Sequence, residues 1–116
     1  MKLVEIENIE EWEKIKKEAG GSSDILIFKY SPICSISSSV EHDFNIWLSG
    51  LSDNTPIKFI KIDVIDSRPL SQFIAGELEI KHQSPQLIWL SKKGAVKWHA
   101  SHYDINPADL TSLLKN

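Results

Sequence analysis

The sequence predicts an α/β domain in which a mixed central sheet of about four to five strands is flanked by helices, and three observations predict it. Apolar runs that read as buried strands alternate with segments of helical periodicity as far as Leu78, and beyond that point two short strands are joined directly by a tight turn. The chain of 116 residues, 41% hydrophobic, supports one core and leaves little room for two. Helix-connected strands pair in parallel and hairpin-connected strands antiparallel, so the sum is one mixed sheet in a single domain over residues 1–116.

Each element has its own local signal. Leu3-Val4-Glu5-Ile6 reads as a short edge strand, and Asn8 then caps a helix with Glu11 three residues on, the spacing of a capping box. Ile9, Trp12, Ile15 and Ala19 mark the buried face of that helix, which Gly20-Gly21-Ser22-Ser23 ends. Ile25-Leu26-Ile27-Phe28 is apolar without alternation, as in a strand covered on both faces, and it runs out at Lys29-Tyr30. Ile36, Val40, Phe44, Trp47, Leu48 and Leu51 recur at helical spacing, with Glu41, His42, Asp43 and Asn45 opposite. Residues 57–64 form a further strand, followed by a helix opened by Asp66-Ser67-Arg68-Pro69 and carrying Leu70, Phe73, Ile74 and Leu78. Gln86 to Leu90 and Ala95 to Ala100 make the hairpin around Ser91-Lys92-Lys93-Gly94, and a last helix starts near Asn106-Pro107.

Charge and composition exclude several classes of function. With 13 basic and 16 acidic residues the net charge is -3, which argues against a nucleic-acid partner held by bulk positive charge. No stretch reaches the ~18 consecutive apolar residues of a membrane span, and the first residues turn charged before a signal-peptide core could form. A single cysteine cannot form an internal disulfide and is at home in a reducing compartment, so the expected location is cytoplasmic, with no membrane partner.

That cysteine, Cys34, carries the chemistry. It follows a buried strand and precedes a helix, which places it where free backbone N–H groups and the helix dipole favour an anion. In such settings a thiol pKa falls from about 8.5 into the range of about 3.5–7.5, and the thiolate is the nucleophile. A buried, inert cysteine is the competing reading, but Ser31-Pro32-Ile33-Cys34-Ser35-Ile36-Ser37 is a polar turn rather than a core stripe.

The order of strand, Cys34-x-x-Ser37 turn, helix, Ile62-Asp63-Val64, Ser84-Pro85 and a hairpin with Lys93-Gly94-Ala95-Val96 resembles the thioredoxin superfamily over most of the chain. Within it, Phe28-Lys29, Cys34-Ser35-Ile36-Ser37, Asp63 to Pro69, Ser84-Pro85-Gln86 and Trp98 to His102, in that order, are similar to the YtxJ-type monothiol bacilliredoxins. Members commonly carry proline where this chain has Ser35, a difference that bears on helix-start rigidity and thiol acidity.

The resemblance implies a thioredoxin-like domain in which Ser84-Pro85 is a cis peptide packed against the cysteine, with the Ser84 backbone free to pair with a bound thiol or peptide; for X-Pro bonds in general the trans form is commoner. Ser37 stands where a dithiol enzyme holds its resolving cysteine, so reduction has to finish with an outside thiol, and its hydroxyl can donate to the thiolate. The expected activity is removal of a low-molecular-weight thiol from mixed disulfides on proteins through Cys34. The resemblance names bacillithiol as that thiol, acting as co-substrate with no cofactor bound. Lys29, just before the turn, is the residue expected to meet an acidic group on it, against the alternative of a solvated strand end. The thiol-binding set is thus Lys29, Ser35, Ser37, Ser84 and Pro85 around Cys34. Two other functions stay open: a binding module with an inert cysteine, and a carrier holding an iron–sulfur cluster between two chains.

Other features point elsewhere less well. His99 and His102 lie three residues apart without the second ligand cluster of a structural zinc site, so no metal is expected. His42, four residues after Ser38, lacks any nucleophile elbow, and Trp12, Trp47 and Trp89 fall on buried stripes.

Overall fold

A computed structural model describes residues 3–114. Strands β1 (Val4–Glu5), β2 (Asp24–Tyr30), β3 (Ile57–Asp63), β4 (Gln86–Leu90) and β5 (Val96–Ser101) alternate with helices α1 (Ile9–Ala19), α2 (Ser35–Ser49) and α3 (Arg68–Leu78) up to the β4–β5 hairpin. A 3₁₀ turn over His102–Asp104 and helix α4 (Pro107–Leu114) follow. The five strands lie in the order β1-β3-β2-β4-β5. β1 and β2 both run parallel to β3, whereas β4 is antiparallel to β2 and to β5, the thioredoxin-like arrangement expected for a mixed sheet.

Alternation along the strands divides the interior into two cores. Ile25 and Ile27 of β2, Ile60 and Ile62 of β3, and Ile88 and Leu90 of β4 pack with Trp12 of α1 and with Leu70 and Ile74 of α3. Leu26 and Phe28, Phe59, and Leu87 and Trp89 face the other way, onto Phe44 and Leu48 of α2 and Leu110 of α4. A central strand covered on both faces needs an unbroken apolar run, which is why residues 25–28 show no alternation. No helix among the described residues is long and apolar enough to cross a membrane.

The start of α1 is built as its residues specify, with one shift. The Asn8 side chain accepts from the Glu11 N–H at 2.8 Å, while the Glu11 carboxylate takes the N–H of Glu7 at 3.1 Å, one residue earlier than an ideal capping box. Two expected core positions are corrected: Ile9 and Phe73 are each 38% exposed. Ile9 is the first residue of α1, and helical side chains lean toward the N-terminus, so it leans past the helix end. Phe73 lies beside the stripe that Leu70, Ser71 and Ile74 bury. Trp12 and Trp89 are fully buried; Trp47 and Trp98 pack against the second core only in part.

Candidate active site

The site is assembled at the end of the sheet where β2 and β3 terminate. After Tyr30 the chain turns, with the Cys34 N–H bonded to the Ser31 carbonyl at 3.2 Å, and Cys34 itself is the N-cap of α2 in an extended conformation (φ -104, ψ 121). Its carbonyl already accepts from the Ser38 N–H, so the thiol sits over the free amides of the first helical turn.

Those amides act on the sulfur. Donation by the Ser37 N–H is the main influence holding the Cys34 pKa below the ordinary thiol value; partial burial opposes it, and the Ile36 N–H and the Ser37 hydroxyl add to the lowering. No acidic residue occupies the first turn of α2 to repel a thiolate. Cys34 is partly exposed, and Ile33 beside it is 84% exposed, so a nucleophile at this position can be reached.

Ser37 has two tasks. It is buried, its Oγ accepts the Ser31 N–H at 3.1 Å, and its own proton is thereby directed to the sulfur. Ser37→Ala is expected to move the midpoint of iodoacetamide alkylation of Cys34 to higher pH, yet to leave it below that of free cysteine, because the Ser37 and Ile36 N–H groups remain. An unchanged midpoint would remove the hydroxyl from this account. Ser35, the first residue of α2, is exposed.

Ser84-Pro85 is a cis peptide, as the resemblance implies. Pairing of Lys29 with Gln86 in the β2–β4 ladder sets the start of β4 beside the end of β2, which brings this peptide to the same edge of the sheet as the Cys34 turn. The Pro85 carbonyl accepts the N–H of His102 at 2.9 Å, with His102 in the left-handed region (φ 54). Tyr103, next in the chain, is 84% exposed. The Ser84 hydroxyl is buried and has no hydrogen-bond partner among the described residues.

Lys29 is a correction. It is neither a solvated strand end nor positioned to meet a ligand in solvent: its side chain is fully buried, and its Nζ donates to the Ser71 carbonyl of α3 at 2.9 Å. Desolvation lowers its pKa to about 8. The reason is the same alternation that organises the core, since Lys29 shares the face of Ile25 and Ile27 that α1 and α3 cover.

Three residues that sequence reasoning missed surround it. Ser71, fully buried, brings its Oγ within 3.1 Å of His82 Nδ1. Gln86 donates from Nε2 to the Lys81 carbonyl at 3.1 Å and lies 3.4 Å from Ser101 Oγ. The available signal was polarity on apolar stripes: Ser71 next to Leu70, and Gln86 opening an otherwise apolar strand. Among the described residues there is no group of three or more His, Cys, Asp or Glu side chains able to hold a metal ion, and His99 and His102 have no such companions.

Comparison with known proteins agrees with this geometry. Residues 4–110 match the family described as monothiol bacilliredoxin BrxC. A solved structure described as a candidate oxidoreductase with a thioredoxin fold is 25% identical, with a TM-score of 0.81 over 98% of this chain and 94% of the other. Reduced thioredoxin from Schistosoma mansoni (13% identity, TM-score 0.73, 99% and 97% covered) and thioredoxin f from spinach chloroplast (16%, 0.71, 98% and 91%) are similar in fold.

Proposed function

The chain belongs to the monothiol bacilliredoxin family, and from that membership we propose that this thiol oxidoreductase of thioredoxin fold removes a low-molecular-weight thiol, bacillithiol, from mixed disulfides on cytoplasmic proteins. The observation that carries the reading is a single, accessible Cys34 over the first amides of α2, with a lowered pKa and a buried serine where a second thiol would stand.

The chemistry closes without an internal disulfide. The Cys34 thiolate attacks the small-thiol sulfur of the mixed disulfide; the new S–S bond joins Cys34 to the small thiol, and the protein cysteine leaves as a thiolate that takes a proton from water. A second small-thiol molecule, as thiolate, then attacks the Cys34 disulfide, giving the small-thiol disulfide and free Cys34. Over the cycle one small-thiol molecule is oxidised to the disulfide level as the protein cysteine returns to a thiol, and the small thiol first carried by the protein leaves in the same small-thiol disulfide.

Two features support the docking of a protein partner. Exposed Ile33 beside Cys34, with exposed Ile65 after β3 and Tyr103 after β5 at the same end of the sheet, offers apolar contact, and the Ser84 backbone before β4 is available to pair with an extended chain.

The test is incubation of the protein with a peptide in mixed disulfide with bacillithiol, and separately with glutathione, followed by mass spectrometry of Cys34. Expected is rapid transfer of bacillithiol onto Cys34 with release of the free peptide, faster than transfer of glutathione. Equal sluggishness with both disulfides would sink the assignment and favour a binding module with an inert cysteine.

A further inference from the structure

Lys29 presents a physical problem that thiol exchange by Cys34 does not explain. Its ammonium is fully buried, its one hydrogen-bond acceptor is the neutral Ser71 carbonyl, and burial is the sole cause of its lowered pKa, so no carboxylate compensates it. Among the described residues it takes part in no ion pair. A methionine of similar length would fill the same space among the isoleucines without that cost. Burial lowers the pKa of nearby His82, and the positive charges of Lys29 and Arg68 lower it further.

What Lys29 touches is a route to the cis peptide. Its Nζ bonds α3 at Ser71, whose hydroxyl meets the His82 ring at 3.1 Å; His82 is two residues before Ser84. On the sheet side, Lys29 pairs in register with Gln86, whose amide holds the Lys81 carbonyl. The segment from Lys81 to Gln86 is therefore tied at its start through Gln86 and Ser71, and at Pro85 through His102. Residues 81–85 form no helix or strand of their own, so these side-chain ties are what orders them.

We propose that Lys29 is a positioning residue for the thiol-exchange site: from inside the sheet it fixes the first turn of α3, and through Ser71 and His82 it holds the loop carrying the cis Ser84-Pro85 peptide in the geometry that receives substrate. The proposal rests on the thiol-exchange reading for its effect on substrate, and on the loop contacts alone for its structural part.

Two substitutions in the full chain test it. Lys29→Met removes the anchor; Ser71→Ala keeps the Lys29–carbonyl bond and cuts the link to His82. Both are expected to leave the iodoacetamide alkylation profile of Cys34 within two-fold of the parent. Both are expected to raise KM for the bacillithiol mixed-disulfide peptide roughly ten-fold with little change in kcat, the signature of lost binding rather than lost chemistry. Amide hydrogen exchange over residues 82–86 is expected to speed up in both, while Lys29→Met is expected to raise global stability, a combination that general loosening cannot produce. Parent-like KM and parent-like amide exchange in both variants would overturn the proposal while leaving the function intact. A parent protein that alkylates normally but exchanges with no mixed disulfide would remove the function, and unchanged amide exchange in the variants would then overturn the positioning role as well.

Discussion

Cys34→Ser is expected to lose all thiol–disulfide exchange while keeping, or slightly raising, the stability of the fold. The two halves of this expectation come from one location. As the N-cap of α2, residue 34 faces the Ile36 and Ser37 N–H groups, and a serine hydroxyl there is among the best acceptors for first-turn amides, worth about 1 kcal/mol over a residue that cannot cap. The cysteine sulfur takes the same amides, but as a neutral thiol it is the weaker acceptor. A serine hydroxyl, however, does not ionise near neutral pH and forms no disulfide, so no second thiol can substitute for the missing sulfur in a chain with one cysteine. Exchange with a mixed-disulfide peptide should fall to the uncatalysed background, and thermal melting should show a Tm equal to or above that of the parent. Residual exchange above background would place the reacting group elsewhere, and a marked loss of Tm would mean that Cys34 serves the fold rather than the chemistry.

Lys29→Met is expected to stabilise the protein by about 1–3 kcal/mol at pH 7, as replacement of a buried charge by an apolar side chain of similar length does when packing is kept. The gain should depend on pH with a definite sign. Burial sets the folded pKa at about 8 against an ordinary value of 10.5. Below pH 8 the lysine is protonated in both states, and the fold carries the whole penalty of a buried ammonium. Between the two values the unfolded chain keeps a proton that the folded chain has released, so stability of the parent rises with pH. The corresponding penalty is about 3 kcal/mol, and most of it is gone by pH 10. Methionine does not titrate, so the stability gap between variant and parent should narrow as pH rises through this window. Urea unfolding of both proteins at pH 7 and pH 9.5 measures it. A gap that is constant, or a variant less stable at pH 7, would mean that Lys29 is compensated by groups other than the Ser71 carbonyl.

Much of the architecture was legible from local pattern. β4 occupies Gln86 to Leu90 as its apolar run and the Ser91 to Gly94 turn require, and Asn8 caps α1 through its side chain. Gly94 takes a positive φ of 84, which glycine adopts without strain and which that turn uses. Cys34 was legible for a similar reason: a strand that runs straight into a helix leaves its connecting residue at the N-terminus of that helix, whatever else the fold does.

Lys29 was not legible, and neither were Ser71 and His82 as its neighbours. A lysine after four apolar residues looks like the point where a strand meets water. Whether it does depends on what covers that face of the sheet, and the covering group is the Ser71 carbonyl, 42 residues away in the chain. The cis state of Ser84-Pro85 was reached by resemblance and not from its own residues, because the small free-energy difference between X-Pro isomers is decided by surrounding structure.

The order of strands and helices, their division into a parallel part and a hairpin, and a lone thiol at a helix start all follow from periodicity, turn chemistry and counting along the chain. That Lys29 lies inside, that Ser71, His82 and Gln86 tie down the loop before β4, and that this loop stands at the same end of the sheet as Cys34 emerge from packing alone. Local pattern reports which way a side chain leans; burial of a charge and the meeting of distant loops are set by packing between segments far apart in the chain.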